Sequence, residues 1–62
     1  MNEQDEIELE ALMRQRRTSD SRLNRALGEL LGSHHGADET LAAIDEVEGI
    51  LRQLASLVGR LS

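Results

Sequence analysis

Six apolar residues near the end of the chain, Ile44, Val47, Leu51, Leu54, Val58 and Leu61, are spaced 3, 4, 3, 4 and 3 apart with no polar interruption. A row of that period runs along one side of a helix and has to be covered by another helix. Beside it Ala43, Ile50 and Leu57 repeat every seven residues. At about 100° per residue the two rows together span roughly 160° of the circumference. One neighbouring helix needs only a narrow seam, so part of this arc is expected to be left for a further surface. The opposite arc carries Asp45, Glu46, Glu48, Arg52, Gln53 and Arg60 and reads as a solvated face.

What else the chain brings to a core is limited. It has 62 residues, no Cys, no Phe, Tyr or Trp, and no Pro. A single domain of this length buries only about 60% of the surface its unfolded chain exposes, and such domains usually gain stability from disulfides, a metal or oligomerisation. The first is excluded without Cys. A metal would rest on His34 and His35, which are adjacent in a loop-like stretch, point apart, and are fewer than the three or four ligands such a site needs. No metal and no cofactor is expected. Leu, Ala, Glu, Gln and Arg dominate, which is the helix-forming end of the propensity scale, so an all-α chain is expected.

Upstream, Leu23, Leu27, Leu30 and Leu31 with Ala26 fall on one helical stripe. Gly32-Ser33-His34-His35-Gly36-Ala37-Asp38 is the turn-rich stretch, with Gly32 suited to the left-handed end of the preceding helix and Asp38 suited to cap the next. A loop this short joins antiparallel neighbours. The expected core is a two-helix antiparallel hairpin over about 20–31 and 39–61. Before it, acids at 3–10 and Arg14, Arg16 and Arg17 suit the dipole of a short helix over about 3–17, capped by Asn2. Its apolar residues share no single face, which marks it as the most mobile or most partner-dependent segment. The cluster Thr18-Ser19-Asp20-Ser21 marks a break or restart. The competing reading is one helix from 3 to 31, with Leu9, Leu12, Arg16, Ser19, Leu23, Ala26 and Leu30 as a heptad seam that Arg16 and Ser19 interrupt.

Twelve acids against seven Arg give a net charge of −5. That balance argues against a nucleic-acid backbone binder and against adhesion to anionic membrane, and favours a protein partner. The cluster Arg14, Arg16, Arg17, Arg22 and Arg25 reads first as a solvated or salt-bridged face. Ala42, Gly49 and Ser56, seven apart, form a row of small residues that reads as tolerated on the solvent side. The acidic start Met1-Asn2-Glu3-Gln4-Asp5-Glu6 is unlike a signal peptide, and no apolar run approaches the ~20 residues of a membrane span, so the expected location is the cytoplasm. Nothing supplies a nucleophile, a phosphate loop or an enclosed acid–base pair, so no enzyme is expected.

The stretch Ser21-Arg22-Leu23-Asn24-Arg25-Ala26-Leu27-Gly28-Glu29-Leu30, the Gly-Ala-Asp turn at 36–38, and the closing Ile50-Leu51-Arg52-Gln53-Leu54-Ala55-Ser56-Leu57-Val58-Gly59-Arg60-Leu61 resemble the YscE/PscE family, small cytosolic co-chaperones of the type III secretion needle subunit. The resemblance implies a helical hairpin preceded by a mobile helix, bound to a larger tetratricopeptide-like chaperone, the pair keeping a needle subunit unpolymerised. The alternative is a homodimeric hairpin, a four-helix bundle acting as a regulator that binds RNA or a transcription factor. In either case the arc of the last helix is expected to be divided. Leu23, Leu27, Leu30, Leu31, Ile44, Val47, Leu51 and Val58 are assigned to the hairpin's own core, with small Ala55 in the narrower seam, while Ile50, Leu54, Leu57 and Leu61 are assigned to the partner.

Overall fold

A computed structural model describes residues 1–61. Two helices, α1 over Glu3–Ser33 and α2 over Ala37–Leu61, make up all of its regular structure. They pack side by side as a hairpin of 46 × 15 × 12 Å.

The start of α1 follows its sequence signals. Asn2 is extended at φ −88° and ψ 173°, and its side-chain oxygen accepts the Asp5 N–H at 2.8 Å. Glu3, Asp5 and Glu6 then lie in the first turn, where the helix dipole favours acids.

No break occurs at 18–21, and the separate helix expected over 3–17 is instead the first half of α1. The oxygens that would cap a new helix are engaged elsewhere. Thr18 Oγ1 donates back to the Arg14 carbonyl at 3.2 Å, Ser19 Oγ donates across the hairpin to Glu46 Oε1 at 2.9 Å, and Asp20 accepts from Arg16 at 3.3 Å. A side-chain oxygen starts a new helix only by accepting a free backbone N–H, and none of these three does.

The end of α1 also differs in detail. His34, not Gly32, takes the left-handed conformation, with φ 62° and ψ 21°, and its N–H donates to the Leu30 carbonyl at 2.8 Å. Gly36 follows at φ 91°, a region that favours a residue without Cβ. Its carbonyl accepts both the N–H and the hydroxyl of Thr40, at 3.0 and 2.9 Å. That bonding starts α2 at Ala37, two residues before the expected boundary, so Asp38 sits inside the first turn.

The helices meet along two matching rows. On α1 it is Leu9, Leu12, Arg16, Ser19, Leu23 and Ala26; on α2 it is Leu57, Leu54, Ile50, Val47, Ala43 and Thr40, each set at heptad spacing. Taken in that order the residues lie opposite one another, a register anchored by Ser19 to Glu46 and by Thr40 Oγ1 to the Ala26 carbonyl at 3.5 Å. Leu12, Ser19, Thr40, Ala43, Ile50 and Leu57 are buried and the rest of the two rows is half-buried. Toward the loop the layers are small, with Ala26 facing Thr40 and Ala43 facing Leu23, which lets the backbones approach. Toward the open end they are filled by Leu and Ile. Arg16 fits within the seam because its aliphatic stem can lie along the apolar row while its head reaches Asp20. Among the described residues no buried side-chain polar atom lacks a hydrogen bond.

Candidate functional site: two unlike edges of the hairpin

A residue one step before the seam lies about 100° to one side of it, and one step after lies about 100° to the other. Because α1 and α2 run in opposite directions, the same step on both helices turns toward the same edge of the hairpin. The ion pairs show this. Glu8, Arg22, Glu46 and Arg60 each precede a seam residue, and they meet as Arg22 to Glu46 at 3.1 Å and Arg60 to Glu8 at 2.7 Å.

The whole of that edge is polar or small. It consists of Glu8, Ala11, Gln15, Thr18, Arg22, Arg25 and Glu29 from α1, with Glu39, Ala42, Glu46, Gly49, Gln53, Ser56 and Arg60 from α2. Among the described residues no apolar residue larger than alanine stands on it. The row Ala42, Gly49 and Ser56 belongs here, away from the seam.

The residues one step after the seam form the other edge, and their character is reversed. From α1 come Glu10, Met13, Arg17, Asp20, Asn24, Leu27 and Leu31, and from α2 come Leu41, Ile44, Glu48, Leu51, Ala55 and Val58. Leu31 is 82% exposed, Leu41 63%, Leu51 48%, and Met13, Leu27 and Val58 are exposed as well. At the loop end Leu27, Leu30, Leu31 and His34 line an open apolar groove. An exposed row of large aliphatic residues along one edge, opposite an edge with none, is the feature of this surface that calls for a function.

The division of the α2 arc therefore departs from the one expected, although Val47 stands in the seam. Ile50 and Leu57, assigned to a partner, are buried against α1, Leu57 at 1% exposure, and Leu54 and Leu61 are half-buried in the same row. Leu51 and Val58, assigned to the hairpin core, face outward on the apolar edge, as do Leu27 and Leu31. Leu23, Leu30, Ile44 and Val47 are half-buried. The cause is α1. Once it runs unbroken from Glu3 it presents Leu9, Leu12, Ser19, Leu23 and Ala26 as its seam. Thr40, Ala43, Ile50 and Leu57 are then buried against it, which turns Ile44, Leu51 and Val58 away by one residue. Leu41 was not singled out from the sequence, and its place one residue after Thr40 in the α2 seam is the signal that finds it.

The other sequence candidates do not converge. His34 is the helix cap and His35 donates its N–H to Ser33 Oγ at 3.2 Å. Among the described residues no three His, Cys, Asp or Glu side chains gather as a metal site. Of the arginine cluster, Arg16 and Arg22 are tied to Asp20 and Glu46. No helix among the described residues is long and apolar enough to cross a membrane.

Comparison with protein-family models, curated proteins and solved structures gives no match for this chain.

Proposed function

We propose that this chain is a non-catalytic protein-binding module that covers a helical surface of another protein with its apolar edge. One observation carries the reading: Leu27, Leu31, Leu41 and Leu51 stand exposed on a single edge while the opposite edge has no large apolar residue at all. A helical edge of this kind fits a groove between helices, where i, i+3, i+4 and i+7 anchors give the contact. The resemblance to the YscE/PscE co-chaperones supplies the specific form. In it the partner is a larger tetratricopeptide-like chaperone in the cytoplasm, and the pair keeps a type III secretion needle subunit from polymerising.

The test is co-expression of the tagged chain with a type III secretion chaperone and its needle subunit, comparing the native chain with Leu51→Asp and, as a control on the polar edge, with Gln53→Asp. The native chain and Gln53→Asp are expected to co-purify with the chaperone and hold the needle subunit in solution, while Leu51→Asp loses both. Equal co-purification by all three would remove the apolar edge from the function, and absence of any complex with the native chain would overturn the co-chaperone form.

A further inference from the structure

The apolar edge carries its own charge pattern. Arg17 and Glu48 are the two long charged side chains in the middle of it, and neither has an ion-pair partner within the described residues. Asp20, the third charge in the middle, is held by Arg16 on its own helix, and Glu10 lies on the edge toward the open end. In the register of the hairpin Arg17 and Glu48 stand at nearly the same height, on opposite helices. They are both on the edge and a helix apart.

We infer that the apolar edge pairs with the same edge of a second copy, about a two-fold axis parallel to the helices, to form a four-helix bundle held by two Arg17 to Glu48 contacts between copies. Such an axis lays α1 of one copy over α2 of the other at the same height. Leu27 then faces Leu41 of the second copy, Met13 faces Leu51, and Arg17 faces Glu48, each contact occurring twice. The other way to stack the two edges, with the axis across the helices, lays α2 on α2. Setting Arg17 against Asp20 in that arrangement brings the two Glu48 carboxylates together, whereas in the first each Glu48 meets Arg17 as well as an Asp20 whose charge Arg16 already holds.

The area fits a second copy. The chain exposes 4736 Å², whereas a compact monomer of 6.9 kDa is expected to expose about 4,000 Å² by the usual scaling of surface with mass. The excess, roughly 700 Å², is close to the ~800 Å² that each partner contributes to a standard interface. Closed two-fold pairs are also the commonest oligomers, and they need only one self-complementary patch.

This inference rests on the edge named under the proposed function but not on its partner: the pair is the form the chain takes alone, and a heterologous helical surface would compete for the same residues. Sedimentation equilibrium on the purified chain, from 1 to 200 μM, tests it with four variants (concentrations on the order of ordinary interface affinities). The native chain is expected to be a dimer, and Leu51→Asp a helical monomer. Arg17→Glu and Glu48→Arg are each expected to weaken the dimer by about tenfold or more, and the double variant Arg17→Glu with Glu48→Arg to restore it. A native chain that stays monomeric at 200 μM overturns the inference while leaving a heterologous partner open. A dimer that Leu51→Asp abolishes, but that is unmoved by either charge reversal or unrescued by the double variant, overturns the axis assigned here. A dimer untouched by Leu51→Asp overturns the edge as the seam between copies, while the proposed function is decided by the co-expression test.

Discussion

Ser19 on α1 donates its hydroxyl hydrogen to Glu46 Oε1 on α2 at 2.9 Å, and the same oxygen accepts from Arg22 at 3.1 Å. Ser19 is 3% exposed, so its hydroxyl has no access to water and depends on this one carboxylate. A polar residue that looked like an interruption of a hydrophobic seam is thus a device that fixes the register of the two helices.

Removal of the acceptor should therefore do more harm than removal of the donor. Glu46→Ala leaves a buried hydroxyl without a partner and is expected to destabilise the hairpin by about 1–2 kcal/mol, whereas Ser19→Ala, which removes the need, should cost under about 1 kcal/mol. The exposed Arg22 adds little to either number. Urea unfolding of the two single variants and the double variant measures this, and the double is expected to be no worse than Glu46→Ala alone. Strict additivity would show that the two side chains are not coupled in solution.

The first half of α1 is part of the core, so truncation should be felt throughout the chain. Leu9, Leu12 and Arg16 lie opposite Leu57, Leu54 and Ile50, and Leu12 is 6% exposed. Leu12→Ala is expected to cost about 2–3 kcal/mol, from lost burial and the cavity left behind. Deleting residues 1–17 would strip the cover from the open half of α2 and abolish a cooperative thermal transition in circular dichroism. Retention of the transition after that deletion would show that the hairpin needs only residues 20–61.

Much of this architecture was legible in the residues. The Asn2 cap, the turn around Gly36 and the antiparallel order follow from local rules, and the excess of apolar surface on α2 followed from counting its rows. What local rules did not decide was which row faces inward. The rows 43, 50, 57 and 44, 51, 58 differ by a single residue, and on α2 alone the second is the more continuous. The choice is made by α1, whose small seam residue Ala26 receives Thr40 at its carbonyl and whose Ser19 is held by Glu46. Reading Thr18 to Ser21 as a break removed Leu9 and Leu12 from that seam and left only the leucines of 23–31 to judge by. Side-chain oxygens that can cap a helix can equally bond within or across it, and only the tertiary arrangement selects between the two.

Gly28 offers a gain in stability. It lies inside α1 with nothing within 4 Å of the position an added Cβ would take. Gly within a helix costs roughly 0.5–1 kcal/mol relative to Ala through the freedom it has when unfolded. Gly28→Ala is therefore expected to raise stability by that amount and to raise the melting temperature by several degrees, since about 1 kcal/mol corresponds to ~4–8 °C in a domain of this size. A fall in melting temperature would mean that the outer face of α1 is in contact with something a methyl group disturbs.

The sharpest contrast lies between two leucines six positions apart on α2. Leu57 is 1% exposed in the seam, and Leu51 is 48% exposed on the apolar edge. A carboxylate at position 57 would be buried without a cation in the layer opposite Leu9, which costs several kcal/mol. A small domain of this length has only about 3–9 kcal/mol to lose. Leu57→Asp is accordingly expected to unfold the chain, with loss of the helical signal in circular dichroism. Leu51→Asp places its charge in water, so helicity and the urea midpoint of the monomer should change little, and the effect should fall on association alone. The expectation drawn from the periodicity of α2 by itself was the opposite pairing, so the two variants measured side by side decide which row faces α1. If Leu51→Asp unfolds the chain and Leu57→Asp does not, the hairpin in solution uses the other row, and the apolar edge described here is its core.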